Sequence, residues 1–512
     1  MEKINKFIGK HRTTILRVIA VLILLILVLF VVKFISMAAK KPRDPEVSTS
    51  FFIKNKDEKY AMFNENGKQL TDFIYDSVEE LYNGVAKVKD KDGKVAIINE
   101  KGKYVVKPGK YNSIMQNGGL FRVEEKENTY SLLNSKGKKL IKSSNFDIKS
   151  NSYLYSATIV LNKDKYVVYT YNGKKVYSFK VKKTENEEEQ IAPTSSDYKE
   201  YVSVFYDGLT IIFNSRTGKI ISKIKEDEQY CINNASEDGK TIALNSCVTW
   251  YEASENVKYK ILENGKLKSK DGECDAISLN NDNIICTKNE VSHLLDKKWK
   301  ILNTDLSMMS YKDTKNYAVK VGNDVQILRK GKTIKTIENA ILSDKGYTEN
   351  GIYLIYKDKE YTFINYKGKE LFGRKFNKAI TFDSNNLARV SEDGENYYFI
   401  NTDGKKVGDF LDASYQVKDY YIVTKDNKKG VADKKGKTIV DVINDNVEIK
   451  TNGEDFYAFI KKGDDYKLIS LNNKKEVLSF NTTPSFLDYY IRVENEGKIT
   501  YYTYSGKKLY EE

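Results

Sequence analysis

Along most of this chain, apolar and polar positions recur in short bursts built on one skeleton. "KYAMFNENGKQLT" (59–71), "GKVAIINEKGKYVV" (93–106), "KEYTFINYKGKEL" (359–371), "NYYFINTDGKKVG" (396–408) and "KKGVADKKGKTIV" (428–440) share it. Each has an apolar triplet, a polar residue, turn formers, Gly-Lys and a second apolar stretch. In residues 93–126, "KVAII" and "KYVV" read as strands joined across "NEKG", where Asn and Gly suit a tight hairpin. "YNSIMQ" and "LFRVEEK" read as a third and a fourth strand. Four short strands with their turns fill about 36 residues, the size of a propeller blade. No stretch after residue 44 keeps an apolar spacing of three and four, which excludes helical repeats.

The Gly-Lys tips serve as a ruler. They fall at Gly67, Gly102, Gly137, Gly173, Gly218, Gly265, Gly331, Gly368, Gly404, Gly436 and Gly506. Two wide gaps each hide a degenerate unit, one at 293–307 and one at 467–480 with Asn473 in the glycine's place. Twelve intervals between Gly67 and Gly506 give a mean period of about 36.6 residues. Ring closure hides the sheet edges that such repeats otherwise expose, and propellers typically carry about 4–8 blades. The expected fold is therefore all-β, with about thirteen four-stranded repeats in tandem β-propellers of six and seven blades. A seam near 290 divides 51–290 from 291–512. "KTENEEEQIAPTSSD" (183–197) reads as a solvated surface loop, with a domain seam as the alternative. "SFFIKNKDEK" near the start resembles a fourth strand, and "KITYYTYSGKKLYEE" at the end resembles strands one and two. Such broken units suit a ring that completes one blade from distant parts of the chain.

The tips and their flanks resemble the WG-containing repeats of bacteria. Asn99, Gly102, Lys103 and Pro108 fit that pattern in one unit, and Asp433, Gly436 and Lys437 in another. Tyr75-Asp76 and Gly84-Val85-Ala86-Lys87-Val88 fit the remainder. The likeness extends over 51–512 and is strongest at 59–140 and 359–440. Lys429-Gly430 stands where the Trp-Gly dipeptide would be, Trp250 precedes Tyr and Trp299 precedes Lys, so this is a divergent form. The resemblance implies a repeat architecture and no particular reaction.

The N-terminus breaks the β pattern. Val18 to Val32 is an unbroken apolar run, and 18–39 reaches the roughly 20 residues a helix needs to cross a bilayer. Lys33 can snorkel to the interface. The reading is a signal-anchor helix at 18–39 between a cytoplasmic tail (1–17) and a linker (40–50), with the bulk of the chain extracytoplasmic at the cell membrane. A cleaved signal peptide ending at "SMA" (36–38) is the alternative.

Cysteine usage bears on the compartment. Cys231, Cys247, Cys274 and Cys286 are the four cysteines, confined to one window. An even count outside the cytoplasm points to two disulfides. "CINNASEDGKTIALNSC" and "CDAISLNNDNIIC" each read strand–turn–strand, which favours pairing of sequence neighbours. Four reduced core cysteines are the bland alternative. Gaps of 16, 27 and 12 residues lack the short Cys pairs of a zinc site.

Of the net charge of +14, residues 1–43 carry +8. Elsewhere the two signs alternate as on a solvated surface, so nucleic acid is not an expected partner. His11 and His293 are the two histidines, which removes nucleophile–histidine catalysis and multi-histidine metal sites. "KDKDG" (89–93) lacks the ligands of a calcium loop, and no phosphate loop or dinucleotide fingerprint occurs. No metal, cofactor or catalytic residue is assigned. Acidic pairs such as those in "TNGEDF" (451–456) and "KKGDDYK" (461–467) read as turn residues. Trp250, Trp299 and "DYYI" (488–491) read as packing aromatics, with sugar stacking as the alternative. The expectation is a non-catalytic, membrane-anchored binding or scaffold module for a protein or an anionic cell-envelope polymer, whose tip lysines form a basic rim. A carboxylate-based glycan hydrolase or lyase on a propeller scaffold is the rival.

Overall fold

The sheet at 75–106 shows how the repeat works. Tyr75–Val78, Val85–Asp90, Val95–Asn99 and Tyr104–Val106 pair antiparallel in chain order. Successive side chains of a strand point to opposite faces. Ile97 accordingly enters one core with Phe121, Val123 and Leu133, while Ala96 and Ile98 enter another with Met62 and Tyr75. Because both faces of the sheet are covered, the third strand needs an apolar triplet rather than an alternating pattern. That requirement is the origin of the recurring triplet.

This computed structural model describes residues 48–512, apart from 145, 151–156, 183–191, 237, 248–258, 269–273, 275, 281–282, 290, 296–308, 314, 344–345, 409–411 and 454. The expected transmembrane segment at 18–39, its flanks to residue 47, Trp250, Trp299, most of the degenerate unit at 293–307 and the start of the 183–197 insertion lie outside the described residues. Every regular element among the described residues is a strand. The strands form twelve sheets, most of them four-stranded meanders. The first has six strands because Ser50–Lys54 and Tyr60–Asn64 join it through the single pair Tyr60–Tyr75. It therefore holds two repeat units, which brings the units to thirteen.

Two sequence expectations are corrected. The first is the phase of the repeat. The sheet ends after Val106, and Ser113–Asn117 opens the next, so the Gly-Lys tip joins a sheet's third and fourth strands rather than its first and second. Pro108 has no backbone donor and Gly109 has φ +71°, so the chain leaves the sheet there.

The second correction concerns the rings. Twelve hydrophobic cores each join one unit to the next along the chain. At the expected seam, Leu294 packs with Met309, Tyr311 and Tyr317, so the series runs through it. The thirteenth core unites Phe51, Ile53 and Phe63 with Tyr501, Leu509 and Tyr510. Ser48–Glu512 is thus one compact unit and one closed circuit of sheets, and a division into two rings near 290 has no counterpart in the described packing. Closure also differs in kind from the expected shared blade. Lys508–Glu511 completes a sheet of its own, and that sheet meets the first one by side-chain packing. The Lys56 N–H donates to Glu512 Oε2 at 2.6 Å, and Lys507 Nζ donates to the Asn66 carbonyl at 3.0 Å.

Candidate functional site

The tips are built alike. At 99–103 the Gly102 N–H donates to the Asn99 carbonyl (2.8 Å), and Asn99 Oδ1 accepts from Lys101 N (2.9 Å) and Lys103 N (3.1 Å). Asn134, Asn365, Asn401 and Asp433 accept the same pair of bonds in their own tips. The glycine holds φ near +70°, where a side chain is strained. Each of these glycines also rests on the neighbouring unit. A Cβ on Gly102 would stand 3.0 Å from the Leu70 carbonyl oxygen, one on Gly137 3.1 Å from Val105, and one on Gly506 2.8 Å from the Val477 carbonyl oxygen. In the first two cases the contact falls three residues past the preceding tip glycine. Neighbouring tips therefore stand side by side on one rim of the circuit.

That rim is basic. The lysine following each tip glycine is exposed, from Lys68 and Lys103 through Lys437 and Lys507. No ion pair among the described residues involves one of these lysines. In a meander the turn between the second and third strands lies at the opposite end. Those turns carry Asp90, Asp207, Asp358, Asp393 and Asp426. Their carboxylates are largely employed locally. Asp90 Oδ1 accepts from Asp92 N and Lys94 N, and Lys182 pairs with Asp207 at 2.8 Å. Asp393 accepts from Asn396 and Glu395, and its hydrogen bond to the Asn396 side chain leads in holding it well below the usual carboxylate range.

Both disulfides join sequence neighbours, as the strand–turn–strand reading favoured. Cys231–Cys247 ties Tyr230–Ala235 to the end of Thr241–Ser246, and Cys274–Cys286 ties the approach to Ala276–Asn280 to Asn283–Lys288. His293 lies opposite Cys286 in the next strand. Of the acidic stretches noted in the sequence, Asp455 bonds the Asn472 amide and Asp465 lies opposite Lys462 at a hairpin. Among the described residues no three His, Cys, Asp or Glu side chains converge on a point that would hold a metal ion. Tyr489 and Tyr490 both place their rings 5.6 Å from Phe51, so this aromatic run belongs to the closing core.

Sequence reading missed the amides that link neighbouring sheets. Asn234 accepts from Leu279 N (3.1 Å) and donates to the Leu279 carbonyl (3.0 Å), and Gln116 Oε1 accepts from Lys87 N (3.0 Å). It also missed the clefts between sheets. One of them, about 900 Å³, has Ile439, Ile443, Ile460 and Ile469 beneath a margin of Lys and Asp.

The fold and its rim define an all-β repeat protein of the propeller-like kind, a ring of small antiparallel sheets. Two stretches, residues 60–94 and 361–395, match the family described as WG containing repeat. None of the curated proteins matches the sequence. Solved structures similar to parts of it include a eukaryotic initiation factor, 13% identical over 70% of this chain and 96% of the other, with a TM-score of 0.28. AztD of Citrobacter koseri is 10% identical over 84% and 91%, with a TM-score of 0.17. PorZ, a bacterial surface component of the type-IX secretion system of Porphyromonas gingivalis, is 9% identical over 88% and 84%, with a TM-score of 0.20. Similarity at this level carries no functional argument.

Proposed function

We propose that this chain is a membrane-anchored, extracytoplasmic binding module whose lysine-bearing rim holds an anionic polymer of the cell envelope, without catalysis. The observation that carries the reading is the row of exposed tip lysines, which have no ion-pair partner among the described residues. Unpaired like charges on one rim raise the local concentration of a polyanion and strengthen its capture. Two disulfides accord with an oxidising compartment, and the apolar run at 18–39 supplies the anchor. Full-length protein in detergent, titrated with poly(glycerol phosphate) across a salt series, tests the proposal. Affinity should fall steeply as salt rises and fall again when Lys103, Lys369 and Lys437 are changed to Glu. Affinity indifferent to both overturns the reading.

A further inference from the structure

A second cleft, of about 470 Å³, lies between the last two sheets. Glu476–Phe480 with Asn481 and Thr482 forms one side, and Ile491–Asn495, Lys498–Tyr502 and Glu511 form the other. Its size falls in the roughly 300–1,000 Å³ range of small-molecule sites. It differs from the larger isoleucine-floored cleft in its chemistry. Here an aromatic ring, Tyr502, sits half-buried at the margin of the core formed by Phe459, Phe480 and Tyr504. The amides of Asn481 and Asn495 line the same space and have no side-chain partner among the described residues. Charge in and beside the cleft sums to zero, Lys498 and Lys508 balancing Glu511 and Glu496, although Glu496 has no ion pair among the described residues. Lys498 pairs with Glu511 at 2.6 Å, Lys508 pairs with the other carboxylate oxygen, and the Thr500 hydroxyl donates to Glu511 at 3.2 Å. The Lys498 hydrogen bond leads in holding the Glu511 carboxyl down at about 2.

An aromatic ring and two amides without side-chain partners, lining one cleft whose charges sum to zero, suit an uncharged polyhydroxylated ligand. The C–H face of a pyranose packs on an aromatic ring, and an amide offers both donors and an acceptor to hydroxyl and acetamido groups. We infer that this cleft is a binding subsite for a neutral oligosaccharide. Tyr502 forms the stacking platform, and Asn481 and Asn495 read the hydroxyl or acetamido substituents. The lining runs along the sheet from the Asn495–Lys498 turn to Tyr502 and includes none of the tip lysines. The inference therefore goes beyond the polyanion reading and does not rest on it.

The test is calorimetric titration of the full-length protein, in a detergent without a sugar headgroup, with N-acetylglucosamine trimer, cellotriose and poly(glycerol phosphate). Binding of at least one neutral trimer is expected, with affinity unchanged between low and high salt. Asn495→Ala, at an exposed position, should weaken it about fivefold, the value of one lost hydrogen bond. Tyr502→Ala should weaken it about tenfold or more, and Tyr502→Phe should largely retain it. The triple tip variant should leave it unaltered, which separates this outcome from any failure of the rim. No heat with either neutral trimer, or binding that survives both Asn495→Ala and Tyr502→Ala, overturns the inference.

Discussion

Gly67 rests on Leu509 as Gly102 rests on Leu70. A Cβ on Gly67 would stand 2.9 Å from a Leu509 methyl, and one on Gly102 would stand 3.0 Å from the Leu70 carbonyl oxygen. In the first pair the leucine lies three residues past the tip glycine Gly506, and in the second it lies three past Gly67. Closure of the circuit thus uses the same contact that joins consecutive units.

The tip glycines should differ in sensitivity according to what they touch. Gly436 and Gly331 have nearly the same φ, +75° and +74°. A Cβ on Gly436 would lie 2.1 Å from the Val407 carbonyl oxygen, whereas Gly331 has open space around it. Gly331→Ala is expected to cost about 1–2 kcal/mol, from left-handed strain alone. Gly436→Ala adds a backbone displacement and is expected to cost about 3 kcal/mol or more. Urea midpoints of the two variants check the order.

Phe51 holds the closing core, with its ring against Phe63, Tyr489 and Tyr490. Phe51→Ala should destabilise by about 3–5 kcal/mol. Hydrogen exchange should accelerate in 50–64 and 491–511 together, because both flank the same core. Acceleration confined to 50–64 would show that the two ends do not support one another.

Each disulfide closes a short loop, with sequence separations of 16 and 12. Loss of either by Cys→Ser is expected to cost about 3 kcal/mol. Peptide mapping without reductant should recover Cys231 with Cys247 and Cys274 with Cys286. Crossed pairs would contradict the structure.

Glu511 gives the C-terminal sheet an acid response. Its carboxyl is lowered from 4.5 to about 2, chiefly by the Lys498 hydrogen bond and then by Lys508. A group depressed in the folded state contributes stability above its unfolded pKa, and that contribution is lost as pH falls through the folded value. The contribution of these pairs should therefore be complete above about pH 4.5 and fade toward pH 2. Carboxyl NMR should place Glu511 near 2, and Lys498→Gln should move it up toward the ordinary carboxylate range.

Much of this architecture was legible because glycine and the apolar triplet answer to strict local demands. A hairpin tip needs positive φ, and a sheet covered on both faces needs three apolar residues in a row. The sheet phase was hidden because a tight tip and the six-residue crossover at 107–112 both read as turns between similar strands. At 467–480 the longer tip gives the left-handed position to Lys474 (φ +62°) rather than Asn473, whose side chain accepts from Lys475 N. The single circuit was hidden because nothing local distinguishes Leu294, which continues the series, from a residue that ends one. The cleft of Tyr502 and Asn481 was also out of reach, since those residues belong to different repeats and come to line one space only when the sheets stack.

The placement of the closing core has a mechanical side. Tension entering the ring through Ser48 meets first the bonds that Ser48, Thr49 and Ser50 make to Glu100, and then Ser50–Lys54, whose pairing with Tyr60–Asn64 begins at Ser50 opposite Asn64. Load applied at that end peels the bonds one after another instead of shearing them as a group. The first hairpin is consequently the part of the ring most open to peeling, and the closing core of Phe51 and Tyr501 loses a wall once it opens.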